Sequence, residues 1–300
     1  MQIDRDRARE AFARYVEPYD PHDPKIALKY DHTLRVAELC DRIARASGLP
    51  AGDTDVAWLL GLLHDIGRFE QVRRYGTFSD AKSVSHAALG VDVLFGPGGD
   101  AADKKAGRTG AGGTTPETAR TAAADAHAAH GRLDAFVPDA TDEERALVRT
   151  AVATHSAWRL PTGLDARTRA LCDVLRDADK VDILKANTLT PTQDILDVPE
   201  AQIRASTLSP AARDAFLAHR TMRREERSTP ADCLVSYACF VFELVYPESV
   251  RVAREQGHAL EVLGRPYDRA DTRTEMARLA AHLRAWMDER IASGAVLEVR

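Results

Sequence analysis

A histidine followed at once by an aspartate, His64-Asp65, stands at the inner end of an apolar run in the segment LLGLLHDIGRFE. The preceding residues, AWLLGLL, are apolar on every face of a helix, which is the pattern of a helix buried all round. A carboxylate at the end of such a helix is costly to bury unless it is paired or coordinates a metal. Other candidate ligands are spread along the chain: His32 precedes His64 by 32 residues, and His86, His155 and Asp179 follow. The sequence therefore predicts a buried cation held by residues far apart in the chain.

Helical periodicity dominates throughout, no segment alternates convincingly as a strand, and no internal repeat is visible; the predicted fold class is all-α. A first long helix is expected from Pro24 to just before Gly48-Leu49-Pro50. A second runs from Thr54, read as its cap, to Gly67, read as its C-terminal stop. A loop through Arg73, Tyr75, Gly76 and Phe78 leads to a third, from Asp80 to Phe95. Beyond, TDEERALVRTAVATHSAWRLP is a helix with acids in its first turn that ends before Pro161, and Arg167 to Asn187 is another. Later helices are expected over Pro210 to Arg224, Pro230 to Tyr246, Pro247 to Gly257 and Arg269 to Ser293.

Between the third and fourth of these helices, residues 96–131 are rich in Gly, Ala and Thr and have no large apolar side chain. Such a segment cannot build core, and it reads as a mobile surface insertion with a weak helix around Arg120 to His130. His127 and His130 fall within it and are not read as a working metal site. The net charge of −5 gives no basic footprint for long nucleic acid. The N-terminus lacks the apolar core of a signal peptide, and no apolar stretch approaches the roughly 20 residues that span a bilayer. Cys40, Cys172, Cys233 and Cys239 show no CxxC spacing and read as reduced thiols, so a cytoplasmic protein is expected.

Three of the candidate ligands sit on the apolar stripe of their own helix. His32 shares a face with Val36, Leu39 and Ile43, His155 with Val148 and Val152, and Asp179 with Leu175 and Ile183. Inward His and Asp side chains suit a metal held between packed helices. Taken singly, each has a bland reading: a core histidine satisfied by a hydrogen bond, or an aspartate paired with an arginine. Together they are hard to explain that way.

The order His, His-Asp, Asp on separate helices resembles the HD superfamily of metal-dependent phosphohydrolases. The resemblance covers Lys29 to Leu184, in YDHTLRVAELC, GLLHDIGRFEQVRRYGTFSDAKSVSHAALGVDVLF, AVATHSAWRLP and LRDADKVDIL. It implies that His32, His64, Asp65 and Asp179 are the primary metal ligands. Binuclear members such as the HD-GYP phosphodiesterases add histidines in the order in which His86 and His155 occur, with the His-Asp carboxylate bridging two metals. This chain lacks the GYP tripeptide, has His155 alone where that family has two adjacent histidines, and has Leu28 where a glutamate is often found. The resemblance thus implies one or two divalent ions. His86 and His155 are then either ligands of the second ion or groups that bind phosphate or donate a proton.

A donor set of nitrogen and oxygen without thiolate suits Mn, Fe, Mg, Ni, Co or Zn. Asp65 and the ions would activate a water, with His86, His155 and Lys180 as further candidate catalytic groups. Arg68, Arg73 and Lys82 are candidate phosphate ligands; Arg74 and Lys180 also adjoin the motifs, and Lys180 is free to pair with Asp177 or a ligand carboxylate. The expected partner is a phosphate-bearing small molecule, a nucleotide or cyclic nucleotide among them, with neither long nucleic acid nor membrane. Two other functions stay open: a metal and nucleotide sensor without turnover, and a di-iron oxygenase on the same scaffold. The division expected is 1–190 for the HD domain and 191–300 for a C-terminal helical extension, whose Tyr237, Phe240, Phe242 and Tyr246 read as core.

Overall fold

The computed structural model describes residues 2–96, 131–192, 196 and 198–297. Among them every regular element is a helix, so the fold is all-α. The weak helix expected around Arg120 to His130, with His127, His130 and the bulk of the 96–131 insertion, lies outside the described residues. None of the described helices is long and apolar enough to cross a membrane.

By packing, the chain divides into two compact units, 1–38 with 50–175, and 39–49 with 176–300. The boundaries fall inside helices Pro24–Ala46 and Ala166–Leu189 rather than in the Pro-marked loop near 190 that the sequence suggested. A packing boundary follows buried contacts, and a helix that continues through it leaves no proline or glycine to mark the place.

In the first unit, helix Ala51–Leu63 is buried on all sides from Val56 to Leu63, as its composition requires. Each of its buried leucines contributes about 1.5–3 kcal/mol of transfer free energy. The helix does not continue to Gly67. It ends at Leu63, and a new helix, Ile66–Tyr75, begins after Asp65, whose backbone (φ −105°, ψ 16°) is outside the helical region. Thr54, read as a cap, lies within the first turn and donates its hydroxyl to the Pro50 carbonyl. Arg73 and Tyr75, expected in a loop, belong to the second helix, which stops at left-handed Gly76 (φ 63°). The expected Asp80–Phe95 helix is a short 3₁₀ turn, Asp80–Lys82, followed by helix His86–Phe95 with Ser85 as its cap.

Two glycines bring the ligand-bearing helices together. A Cβ on Gly61 would lie 2.6 Å from the Cα of Ala37, and one on Gly67 would lie 2.3 Å from the carbonyl oxygen of His86 and 2.4 Å from the nitrogen of Gly90. Gly67 is therefore a point of helix contact, not a helix stop. An N-terminal helix, Arg5–Val16, completes this side with Phe12 and Tyr15, which pack on Phe69. The Tyr15 hydroxyl donates to the Ile66 carbonyl at 3.0 Å, just past Asp65. Helix Asp142–Thr154 opens with a capping box between Thr141 and Glu144 and presents Val148, Ala151 and Val152 to the core.

The second unit contains helices Glu200–Arg204, Pro210–Leu217, Pro230–Ala238, Pro247–Gln256, His258–Leu263 and Ala270–Ser293. Prolines at the first turn start three of them. The expected Pro230–Tyr246 helix gives way to a 3₁₀ segment at Cys239, and Pro210–Leu217 ends seven residues before Arg224. Phe242 and Tyr246 are buried, while Tyr237 and Phe240 are half-buried. Asp177 is buried here and accepts hydrogen bonds from the backbone N–H groups of Val245 and Tyr246, which fixes the entry to helix Pro247–Gln256. All four cysteines are free thiols, with only Cys233 not fully buried.

Candidate metal centre

The helix break at His64-Asp65, the end of helix Asp142–Thr154, the start of helix His86–Phe95 and the middle of helix Pro24–Ala46 converge in the first unit. They bring His32, His64, Asp65, His86 and His155 together, all buried. The two oxygens of Asp65 face different histidine pairs. Oδ2 lies 3.6 Å from Nε2 of both His32 and His64, whose Nε2 atoms are 3.3 Å apart. Oδ1 lies 3.6 Å from Nε2 of His86 and 3.5 Å from that of His155, which are 3.1 Å from one another.

The opposite ring nitrogens define the chemistry of these histidines. His64 Nδ1–H donates to the Gly61 carbonyl at 2.8 Å, and His155 Nδ1–H to the Val152 carbonyl at 2.7 Å. His86 Nδ1–H donates to Asp80 Oδ2 at 2.7 Å. With the proton on Nδ1, each ring turns its Nε2 toward Asp65. Burial pushes His86 down to about 4, with Asp65 and Asp80 opposing, so this ring is neutral at pH 7. Asp65 Oδ1, buried, has no hydrogen-bond donor at all. Converging lone pairs and an orphaned carboxylate oxygen, sealed from water, are satisfied by cations, so the residues fit one ion on each side of Asp65.

Burial opposes ionisation of Asp65, yet Lys29, His64, His155 and Arg68 together hold its carboxyl well below the usual range. Lys29 Nζ is 2.6 Å from Oδ2, a contact that sequence reading missed even though Lys29 sits one turn before His32 on the same face. Arg68 places Nε 3.5 Å from Oδ1 and anchors Nη1 on the Phe78 carbonyl at 2.7 Å and on Gln71 at 2.8 Å. Asp80 was also missed. Its Oδ1 accepts from Gln71 at 2.9 Å and from Arg68 at 3.2 Å, so one carboxylate holds both Arg68 and His86. No helical spacing links Asp80 to His86, because a 3₁₀ turn and the non-helical Ser83 separate them.

The remaining residues singled out from the sequence have surroundings of their own. Arg73 is drawn onto the buried carboxylate of Glu70, at 2.5 and 2.8 Å, and Arg74 shares the same partner, so neither guanidinium is directed at the cluster. Lys82 is exposed on the 3₁₀ turn. Asp179 and Lys180 belong to the second unit, where Asp179 is buried and Lys180 pairs with Glu243 at 3.0 Å rather than with a ligand carboxylate.

With this geometry in view, the comparison with known families is specific: the HD domain family model matches residues 30–186, more than half of the chain. No curated protein and no solved structure matches it.

Proposed function

Because the chain belongs to the HD domain family, whose members are typically metal-dependent phosphohydrolases, we propose that it hydrolyses a small phosphate ester at the His-Asp cluster. Nucleotides and cyclic nucleotides are the first substrates to test. The observation that carries this reading is the two-sided use of Asp65, whose oxygens each face a separate pair of histidines. His32, His64 and Asp65 Oδ2 would hold one divalent ion, and Asp65 Oδ1, His86 and His155 a second. Ions of the Mn, Fe, Mg, Ni, Co or Zn type supply a nucleophilic water at neutral pH and polarise the phosphoryl group.

The chain's own residues do the rest. Lys29 and Arg68, beside opposite oxygens of Asp65, are placed to bind phosphate oxygens, and both lie within 6 Å of the Phe78 ring centre. Lys82 would be an outer contact for the same phosphate. Asp80 keeps the His86 proton on Nδ1 and so keeps Nε2 free. Tyr15, through the Ile66 carbonyl, steadies the helix start that follows Asp65.

The test is metal content and hydrolysis of p-nitrophenyl phosphate, bis(p-nitrophenyl) phosphate and nucleotides with added manganese, for wild type and Asp65→Ala. We expect bound metal and turnover in wild type and loss of both in the variant, with two ions per chain falling to one in His86→Ala. Stoichiometric metal without turnover would replace hydrolysis by a sensor or oxygenase function. Metal content unchanged in Asp65→Ala would overturn the assignment of the centre.

A further inference from the structure

Within the second unit, His219 and His282 face each other through their Nε2 atoms at 2.8 Å. We infer that these two histidines form a separate binding site for a divalent copper, nickel or zinc ion, bound through both imidazoles and completed by water. Two imidazole nitrogens at 2.0–2.1 Å from one ion stand about 2.9 Å apart when they meet at right angles and about 3.3 Å apart when tetrahedral. The candidate centre shows the same kind of approach in His86–His155 at 3.1 Å and His32–His64 at 3.3 Å. The His219–His282 pair fits adjacent ligands at a right angle.

The surroundings hold both rings in place. Helix Pro210–Leu217 ends in a tight turn in which the His219 N–H donates to Phe216 and the Arg220 N–H to Ala215. His219 has φ 54°, the left-handed position that glycine most often fills at a helix end. Its ring lies 4.8 Å from the Phe242 ring and 5.8 Å from the Trp286 ring, centre to centre. Trp286 is one turn along helix Ala270–Ser293 from His282. A ring already packed between aromatic side chains loses less freedom when it binds an ion. His219 is exposed and His282 half-buried, which leaves the remaining coordination positions open to water. Burial and the neighbouring His282 lower the pKa of His219, with Glu289 opposing. Imidazole donors with open positions suit copper, nickel and zinc.

A plain Nε2–H···Nε2 hydrogen bond is the competing account, and copper distinguishes the two. The full chain is titrated with Cu²⁺ while tryptophan fluorescence and the number of bound ions are followed. We expect a quenching step from Trp286 that is absent in Trp286→Phe, although Trp286→Phe keeps the ion. His282→Gln and His219→Asn should each bind one ion fewer, and the double variant should also bind one fewer, not two. Asparagine tolerates the left-handed position, and circular dichroism verifies the fold; either single variant alone suffices. The quenching step should persist in Asp65→Ala, which separates this site from the candidate centre. Copper count and quenching unchanged in folded His282→Gln or His219→Asn would overturn the proposal. So would loss of the Trp286 step in Asp65→Ala.

Discussion

Lys29 and Asp65 approach to 2.6 Å in surroundings where both are largely shielded from water. A charge-assisted contact of this kind contributes about 1.5–3 kcal/mol, which corresponds to roughly one to two powers of ten in binding. If Lys29 binds the phosphate of the substrate, Lys29→Met should raise KM about 10-fold or more while leaving the metal count unchanged. A KM within twofold of wild type would remove Lys29 from the site's working parts. The residues of the His-Asp cluster drew attention in sequence because buried histidines and aspartates beside apolar runs are out of place. Lys29 lies on the same face as His32, but a lysine near a helix surface draws no such attention. Asp80 and Gln71 act through a turn without periodicity, so their partners emerge only in three dimensions.

At the level of the element, the point that matters most is the contact at Gly67. A methyl group there would meet the backbone of His86 and Gly90, which has no flexible end to yield. Gly67→Ala should therefore cost about 1–3 kcal/mol of stability, as overpacking does, and displace His86 from Asp65. Gly52, in the first turn of helix Ala51–Leu63, has nothing within 4 Å of its Cβ position. Gly52→Ala should be neutral or stabilising by about 0.5–1 kcal/mol. Chemical denaturation and the metal count of both variants decide the matter; equal effects would mean that the close approach is not limiting. The same glycine explains why the helix boundary was misplaced in sequence: a glycine after an apolar run looks like a stop. The break instead comes at His64-Asp65, where no breaker residue stands. A similar silence at Cys239 made one long helix of two segments.

For the molecule as a whole, the helical class and the family were readable, the first from hydrophobic periodicity and the second from the order His, His-Asp, Asp. The packing division was not, because two helices run through it unbroken. The second unit also holds a group that ties stability to pH. Burial raises Asp177 to about 6, against hydrogen bonds from Val245 and Tyr246 and the charge of Lys180 that lower it. An unfolded aspartate titrates near 3.9, so between about pH 4 and 6 the folded chain holds more protons at this position than the unfolded chain. The contribution of Asp177 to stability therefore rises as pH falls through 6 and levels off below 4, by up to about 2–3 kcal/mol. Asp177→Asn should lack this rise. The difference in Tm between wild type and variant, measured from pH 4 to 7, should shift in favour of wild type toward the acid end; a constant difference would contradict the assignment.

Asp80 holds the Nδ1–H of His86 with one oxygen and the Arg68 guanidinium with the other. A ligand that pulls Arg68 toward a phosphate leaves that carboxylate to His86 and Gln71, with one cation fewer beside it, strengthening the imidazole as a donor at Nε2. Substrate and ion would then report on each other: each would tighten the hold on the other by the same factor, as linkage between binding equilibria requires. Asp80→Asn should sever that communication, so that manganese affinity measured with and without a nonhydrolysable phosphate analogue differs in wild type and coincides in the variant. Coincidence already in wild type would mean that the shared carboxylate conveys nothing.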